Sequence, residues 1–275
     1  MGFPAALSSY EAAPVLCELT PEMEYPHLLR DLAGIWSPAL KQYGGGSRVI
    51  DASGRGRHST LTSMDPATDW VTSGGYSALD LDGADDFINT PFTLNLANSW
   101  TWNVWFRWAI VNNTSVNLLG HGDGSTTGIY LQSDGVGTTQ KLHTVGPTTT
   151  FVNSATNIPN NEWCLGTVIK NGGLVSVGVN GVFGTATAAA PTNSSAVLEF
   201  GRVNYAAVNY YTGSASQISE VIVHNRAMAI GEALDLYRLS PGGIFTPRRR
   251  RVFASVPVIS KPVFHRRTRT FSFRG

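Results

Sequence analysis

The 275-residue chain is 42% hydrophobic and 10% aromatic, enough for one sizeable core, and its 29 glycines scattered among short apolar runs argue for strands joined by turns. No run of 18 or more apolar residues is present, which argues against a membrane-spanning helix, and the opening MGFPAALSSYEAAPVL lacks the basic leader and apolar centre of a secretory signal, so classical secretion is not expected. The formal net charge of +1 conceals a segregation: residues 241–275 hold eight Arg and Lys261 with no acid, a charge of +9, whereas residues 1–240 carry 11 basic and 19 acidic side chains, a charge of −8.

Residues 1–31 are punctuated by Pro4, Pro14, Pro21 and Pro26 and read as an extended arm with a short helical turn near Leu28–Leu32. GIWSPAL and RVIDASGRGRHSTLT then suggest two strands around the Gly44-Gly45-Gly46 loop. From Ser77, SALDLDGADDFINT alternates apolar and polar residues. TWNVWFRWAI places Trp102, Val104, Phe106 and Trp108 on one face and Asn103, Trp105 and Arg107 on the other, as in a central sandwich strand. Further strands are expected in VNLLGHG, GIYLQSD, KLHTVG, WCLGTVIK, LVSVGVNGVFGTAT, LEFGRV and SQISEVIVHNR. Asn180-Gly181 is a strong hairpin signal. Cys164 falls in an apolar run where a buried free thiol is expected, a disulfide to the distant Cys17 being the alternative. AMAIGEALDLYR reads as one short closing helix, and SPGG at 240–243 ends the body near Ser240. The fold class is therefore all-β: an N-terminal arm over 1–31, a body over 32–240 and a basic C-terminal arm over 241–275.

DASGRGRHSTLT at 51–62 followed by SALDLDGADDFINT, then WTWNVWFRW, NEWCLGTVIKNGGLVSVGVNGV and ISEVIVHNRAMAIGEALDLY, resembles in order the strands of laminin-G-like, concanavalin A-like jelly rolls over about residues 32–240. The resemblance implies a two-sheet antiparallel jelly-roll sandwich whose members often bind glycans or protein partners, sometimes beside calcium. NGVFGT lacks the aspartate that members often carry before the hairpin glycine. No E-x-D-x-x-E arrangement is present, so hydrolytic activity is not implied and a non-enzymatic protein is expected. A jelly roll with Pro- and Arg-rich arms also resembles, in general type, proteins of phage and viral particles.

Asp80, Asp82, Asp85 and Asp86 form the densest acidic group, Asp82, Asp85 and Asp86 being the candidate metal ligands. They read as a turn closed by Asx hydrogen bonds, with a calcium site as the alternative and a catalytic pair, which needs two carboxyls about 5–10 Å apart across a cleft, the weakest reading. His121 and Asp123 in GHGDGSTTG could touch a ligand, although such Gly-rich loops are commonly only turns. The scattered histidines offer no zinc motif, and Ser53 has no nucleophile elbow around it. Trp105, on the second face of its strand, is a stacking candidate if exposed, as are Tyr205, Tyr210 and Tyr211. Arg248, Arg249, Arg250 and Arg251, with Arg266, Arg267 and Arg269, could neutralise nucleic-acid phosphates or lie on an acidic protein surface. The alternating VFASVPVIS and TFSFR segments allow strand addition to a neighbouring subunit, with a disordered basic tail as the alternative. The leading expectation is a structural component of a virion, a capsid decoration or surface protein in a homo-oligomeric particle, anchored by its arms. The alternative is a glycan-binding lectin-like module.

Overall fold

The computed structural model describes residues 25–40, 46–110, 114–123, 127–137, 139–146, 152–189, 191–205, 208–212 and 216–245. Two antiparallel sheets face each other as the expected jelly-roll sandwich. Nine strands form one sheet, in the order Val182–Phe183, Leu174–Val179, Trp163–Asn171, Trp100–Trp108, Ser216–His224, Tyr76–Leu81 and Trp70–Ser73. Leu32–Trp36 adds to Ser216–His224, and Thr187–Ala188 to Leu174–Val179. Eight strands form the other, in the order Val152–Asn157, Lys141–Val145, Ile129–Ser133, Asn117–His121, Leu198–Phe200, Phe87–Asn89, Ser59–Thr62 and Arg48–Val49.

The period-2 pattern of the Trp100–Trp108 strand sets the core. Trp102, Val104, Phe106 and Trp108 are fully buried between the sheets, against Leu119, Leu131, Leu142 and Phe200 of the eight-stranded sheet, and Trp100 stacks on Trp102 at 4.7 Å. Asn180 and Gly181 both take positive φ, 55° and 78°, which a two-residue hairpin of matching twist requires. Cys164 is a buried free thiol whose pKa burial pushes up.

The second face of such a strand can meet solvent or a partner. Instead the chain covers it itself. Trp105, Leu165, Ile169 and Ile222 pack beneath Met228, Leu236 and Ile244, with Leu28 and Leu29 alongside, in a second core. The reason is the Ile230–Leu239 helix, which lies on this face with Ala233 and Leu236 buried. Several polar groups there are paired: Thr167 Oγ1 donates to Asn103 Oδ1 (2.9 Å), and Thr101 Oγ1 donates to the Arg226 carbonyl (2.9 Å) while accepting from Met228 N (2.9 Å), whereas Trp105 Nε1, Glu220 Oε1 and His224 Nδ1 are buried without a hydrogen-bond partner among the described residues. His224 Nε2 donates to the Leu28 carbonyl at 2.7 Å. Arg226 grips the Glu232 carboxylate with two nitrogens at 2.7 and 2.8 Å and donates to the carbonyls of His27 and Arg30, so one guanidinium ties helix, strand end and N-terminal segment together. Leu28 is fully buried and Ile244 is 2% exposed, so packing extends beyond the expected 32–240 limits at both ends.

Two local readings also change. LEFGRV is not one strand: it breaks at Gly201, whose φ is 79°, and Arg202–Tyr205 leaves the sheet to pair with Val208–Tyr211 as a separate ribbon. A Cβ at Gly120 would lie 2.5 Å from the Arg202 carbonyl, which is how closely the ribbon crosses the eight-stranded sheet. The Val152–Asn157 strand, rich in Asn, Ser and Thr, had no clear strand signature.

The Asp51 of DASGRG is structural. Its carboxylate, 3% exposed, accepts from the backbone N–H groups of Ile35 (3.1 Å), Ser53 (2.9 Å) and Arg57 (3.0 Å), fixing the loop against the Leu32–Trp36 strand. Removing it strands three backbone donors at once, that of Ile35 buried and those of Ser53 and Arg57 part-buried. Asp51→Ala is expected to lower the unfolding free energy by about 3 kcal/mol or more in chemical denaturation, and Asp51→Asn, which keeps one acceptor oxygen, by less. Glu220, opposite Trp105 on the covered face, is fully buried, and desolvation pushes its pKa up to about 8. Its Oε2 accepts from Gly242 N at 3.4 Å. The folded protein thus keeps this proton up to about pH 8, whereas an unfolded chain releases it near the ordinary value of 4.5, so this group erodes stability as pH rises between those values and no further above them. Glu220→Gln is expected to stabilise by about 2–4 kcal/mol at pH 8 and negligibly near pH 4, read as urea midpoints across that range.

Candidate functional site

A hollow of about 310 Å³ opens where the helix ends on the covered face of the nine-stranded sheet. Its floor is Trp105, 2% exposed, on which the Tyr237 ring is stacked at 5.9 Å and 24°. Tyr76 and Trp163 form a wall, edge to face at 6.0 Å and 81°. Arg238, Ser240 and Pro241 complete it, where the chain leaves the helix with Ser240 at φ 65°.

Four separate stretches of chain build this place, and each has a local cause. Gly74 and Gly75 take positive φ (57° and 86°) and turn the Trp70–Ser73 strand into Tyr76–Leu81. The tip of that hairpin reaches Trp163, whose Nε1 donates to the Ser73 carbonyl at 3.0 Å, and Arg107, which donates to Ser73 Oγ. Arg107 and Trp163 are register partners on adjacent strands, and Arg107 also donates to the Asn161 carbonyl at 3.0 Å. The tip is thereby pinned beside Trp163, while the helix delivers Tyr237 and Arg238 from the other side. The arrangement joins half-buried aromatic faces to a guanidinium and a hydroxyl, the pairing of apolar ring surface with directional donors that suits a sugar ring. The hollow is lined by no carboxylate, so it holds no acid pair for glycoside hydrolysis.

The residues singled out in the sequence are dispersed. Trp105 does line the hollow, but its ring is closed over by Tyr237 and offers no exposed platform, because the helix occupies that face. His121 belongs to the other sheet and is fully buried. Its Nε2 accepts from Leu94 N at 2.9 Å, and burial lowers its pKa to about 4, so it is a neutral structural imidazole that cannot reach a ligand. Asp123 bridges to Asn204 at the edge of the two-stranded ribbon, whose Tyr210 is 48% exposed and whose Tyr211 packs on Phe87 at 6.2 Å. Trp105 and the His121–Asp123 loop therefore stand on different sheets and form no common site. Arg248–Arg251, Arg266, Arg267 and Arg269 lie outside the described residues.

Asp82, Asp85 and Asp86 are brought together, with ligand oxygens within 4.8 Å of one another. Asp82 Oδ1 accepts from Ala84 N at 2.7 Å and Asp86 Oδ2 from Asp82 N at 2.9 Å, the Asx-closed turn expected from the sequence. Asp86 is buried, and desolvation, with help from the neighbouring carboxylates, pushes its pKa up to about 6. Calcium takes six to eight oxygens. Three carboxylates, two of them already engaged within the turn, fit that demand poorly.

The aromatic hollow is not legible in the sequence, because Tyr76, Trp163 and Tyr237 meet only in the fold. No family model matches this chain, and no curated protein does. Solved structures share its fold. The sialidase of Trypanosoma rangeli in complex with sialic acid superposes with a TM-score of 0.55 at 12% identity over 75% of this chain and 32% of the sialidase. The botulinum neurotoxin serotype D binding domain gives 0.54 at 10% identity over 76% of this chain and 52% of that domain. Domain 4 of AbnA, an extracellular arabinanase from Geobacillus stearothermophilus, in complex with arabinotriose, gives 0.55 at 18% identity, covering 75% of this chain and 98% of that domain. This chain thus spans about a third of the sialidase and half of the neurotoxin domain but nearly all of the arabinanase domain, and it has the β-sandwich fold that those proteins carry.

Proposed function

We propose that this chain is a glycan-binding, lectin-like module without catalytic machinery of its own. The observation that carries the reading is the hollow at Tyr76, Trp163 and Tyr237: aromatic surface at the mouth of a concavity, with Arg238 and Ser240 in place to donate to hydroxyls. The superposition on an arabinanase domain that was solved with arabinotriose supports it. Sugar rings would stack on Trp163 or Tyr237 while the guanidinium and hydroxyl fix orientation. The reading calls on no calcium: the Asp82–Asp86 turn lies outside the lining of the hollow and carries hydrogen bonds of its own.

Titration calorimetry against an oligosaccharide panel tests this. Saturable binding is expected that excess EDTA leaves intact, that Trp163→Ala weakens about tenfold or more, and that Trp163→Phe weakens less. Affinity unchanged by Trp163→Ala would remove the hollow from the reading.

The segregation of +9 on residues 241–275 from −8 on the remainder favours a second role, anchoring of the body to neighbouring chains, as in a particle component. Among the described residues no helix is long and apolar enough to cross a membrane. If the arginines serve assembly, full-length protein is expected to form salt-sensitive oligomers in light scattering, and a chain ending after Phe245, which keeps the buried Ile244, to be monomeric.

A further inference from the structure

We infer that the hollow selects anionic sugars, those bearing a carboxylate or a sulfate, over their neutral counterparts; this rests on the glycan-binding reading and narrows it. The observation is the sign of the charge at the site. In a body that carries 19 acidic against 11 basic side chains up to residue 240, the one charged side chain lining the hollow is a guanidinium, Arg238.

Its charge is available. The single carboxylate that Arg238 meets among the described residues is Asp235, one turn back on the same helix, at 3.4 Å. Both partners are exposed, with side-chain exposures of 66% and 41%, so solvent screens the pair heavily, and Asp235 is shared with His27 at 3.6 Å. A second guanidinium stands behind the wall: Arg107, the register partner of Trp163, is held by the Asn161 carbonyl and Ser73 Oγ and makes no ion pair among the described residues.

The acids nearby do not cancel these cations. Glu220 is opposite Trp105 but fully buried, and its raised pKa keeps it uncharged at neutral pH. Glu162 precedes Trp163 and is exposed, yet it does not line the hollow. The carbonyl end of the helix contributes a partial negative charge of roughly half a unit, smaller than one guanidinium, and the Tyr237 and Ser240 carbonyls are taken by Ser240 N (3.3 Å) and Gly243 N (3.1 Å). A planar guanidinium beside ring-stacking surface meets a carboxylate or sulfate on a stacked sugar with two parallel hydrogen bonds.

The test is calorimetry on the full-length chain with matched short oligosaccharides: a neutral parent, and the same parent with one sialic acid, one uronic acid or one sulfate. Each anionic ligand, or one of the two chemistries, is expected to bind about tenfold or more tightly than the parent, with an advantage that shrinks as salt rises. Arg238→Gln, which also removes a donor to neutral sugars, is expected to lower anionic affinity far more than neutral affinity and so bring the two within about twofold of each other. Equal affinity for neutral and anionic ligands overturns the inference and leaves glycan binding standing. So does an advantage that survives Arg238→Gln but disappears when Arg248, Arg249, Arg250 and Arg251 are changed to Gln, which would assign the anion to the arginine run. Failure of every ligand to bind overturns both.

Discussion

The architecture follows from one constraint: the Trp100–Trp108 strand is buried on both faces. A strand whose successive side chains point opposite ways needs a cover on each side. The eight-stranded sheet supplies one, and the chain's own ends supply the other, the Leu28–Leu29 segment and the residues from Met228 to Ile244 closing over Trp105 and Ile222. The three-layered arrangement at this end is therefore a requirement of the central strand. The covering segments bring partners to Thr101 and Asn103 and to one polar atom each of Glu220 and His224, while Glu220 Oε1 and His224 Nδ1 stay buried and unpartnered among the described residues.

The hollow is a by-product of that second cover. The helix protects Trp105 but stops at Leu239, and the Gly74–Gly75 hairpin tip approaches without closing the gap, held at its distance by Trp163 and Arg107. Aromatic rings that would otherwise be core are left half-open along the seam. The concavity thus arises without an added element, where the covering helix ends at Leu239.

Much of the scaffold was legible in the sequence. Alternation put Trp102, Val104, Phe106 and Trp108 on the core face, Asn180-Gly181 marked its hairpin, and the acidic run before Phe87 was an Asx turn. These are local patterns, written in the residues that obey them. The parity argument also identified Trp105 as facing the second side but could not say what would lie there, since a strand's own sequence does not name its cover. Gly201 hid a change of direction inside what read as one strand. The hollow itself depends on Tyr76, Trp163 and Tyr237, positions separated by more than seventy residues, and non-local adjacency of that kind leaves no spacing to read. His121 misled for the converse reason: a histidine in a glycine-rich loop looks like a ligand until the Leu94 N–H that it caps is seen.

The distribution of indoles has an optical consequence. Six of the seven tryptophans, Trp36, Trp70, Trp100, Trp102, Trp105 and Trp108, are 8% exposed or less, and Trp163 alone is half-buried. The bulk of the ultraviolet emission therefore arises from dry, shielded rings and reports on the integrity of the sandwich, while the fraction that a dissolved collisional quencher can reach comes from the wall of the hollow. The protein carries its own fluorophore at the seam, distinguishable from the rest by accessibility alone.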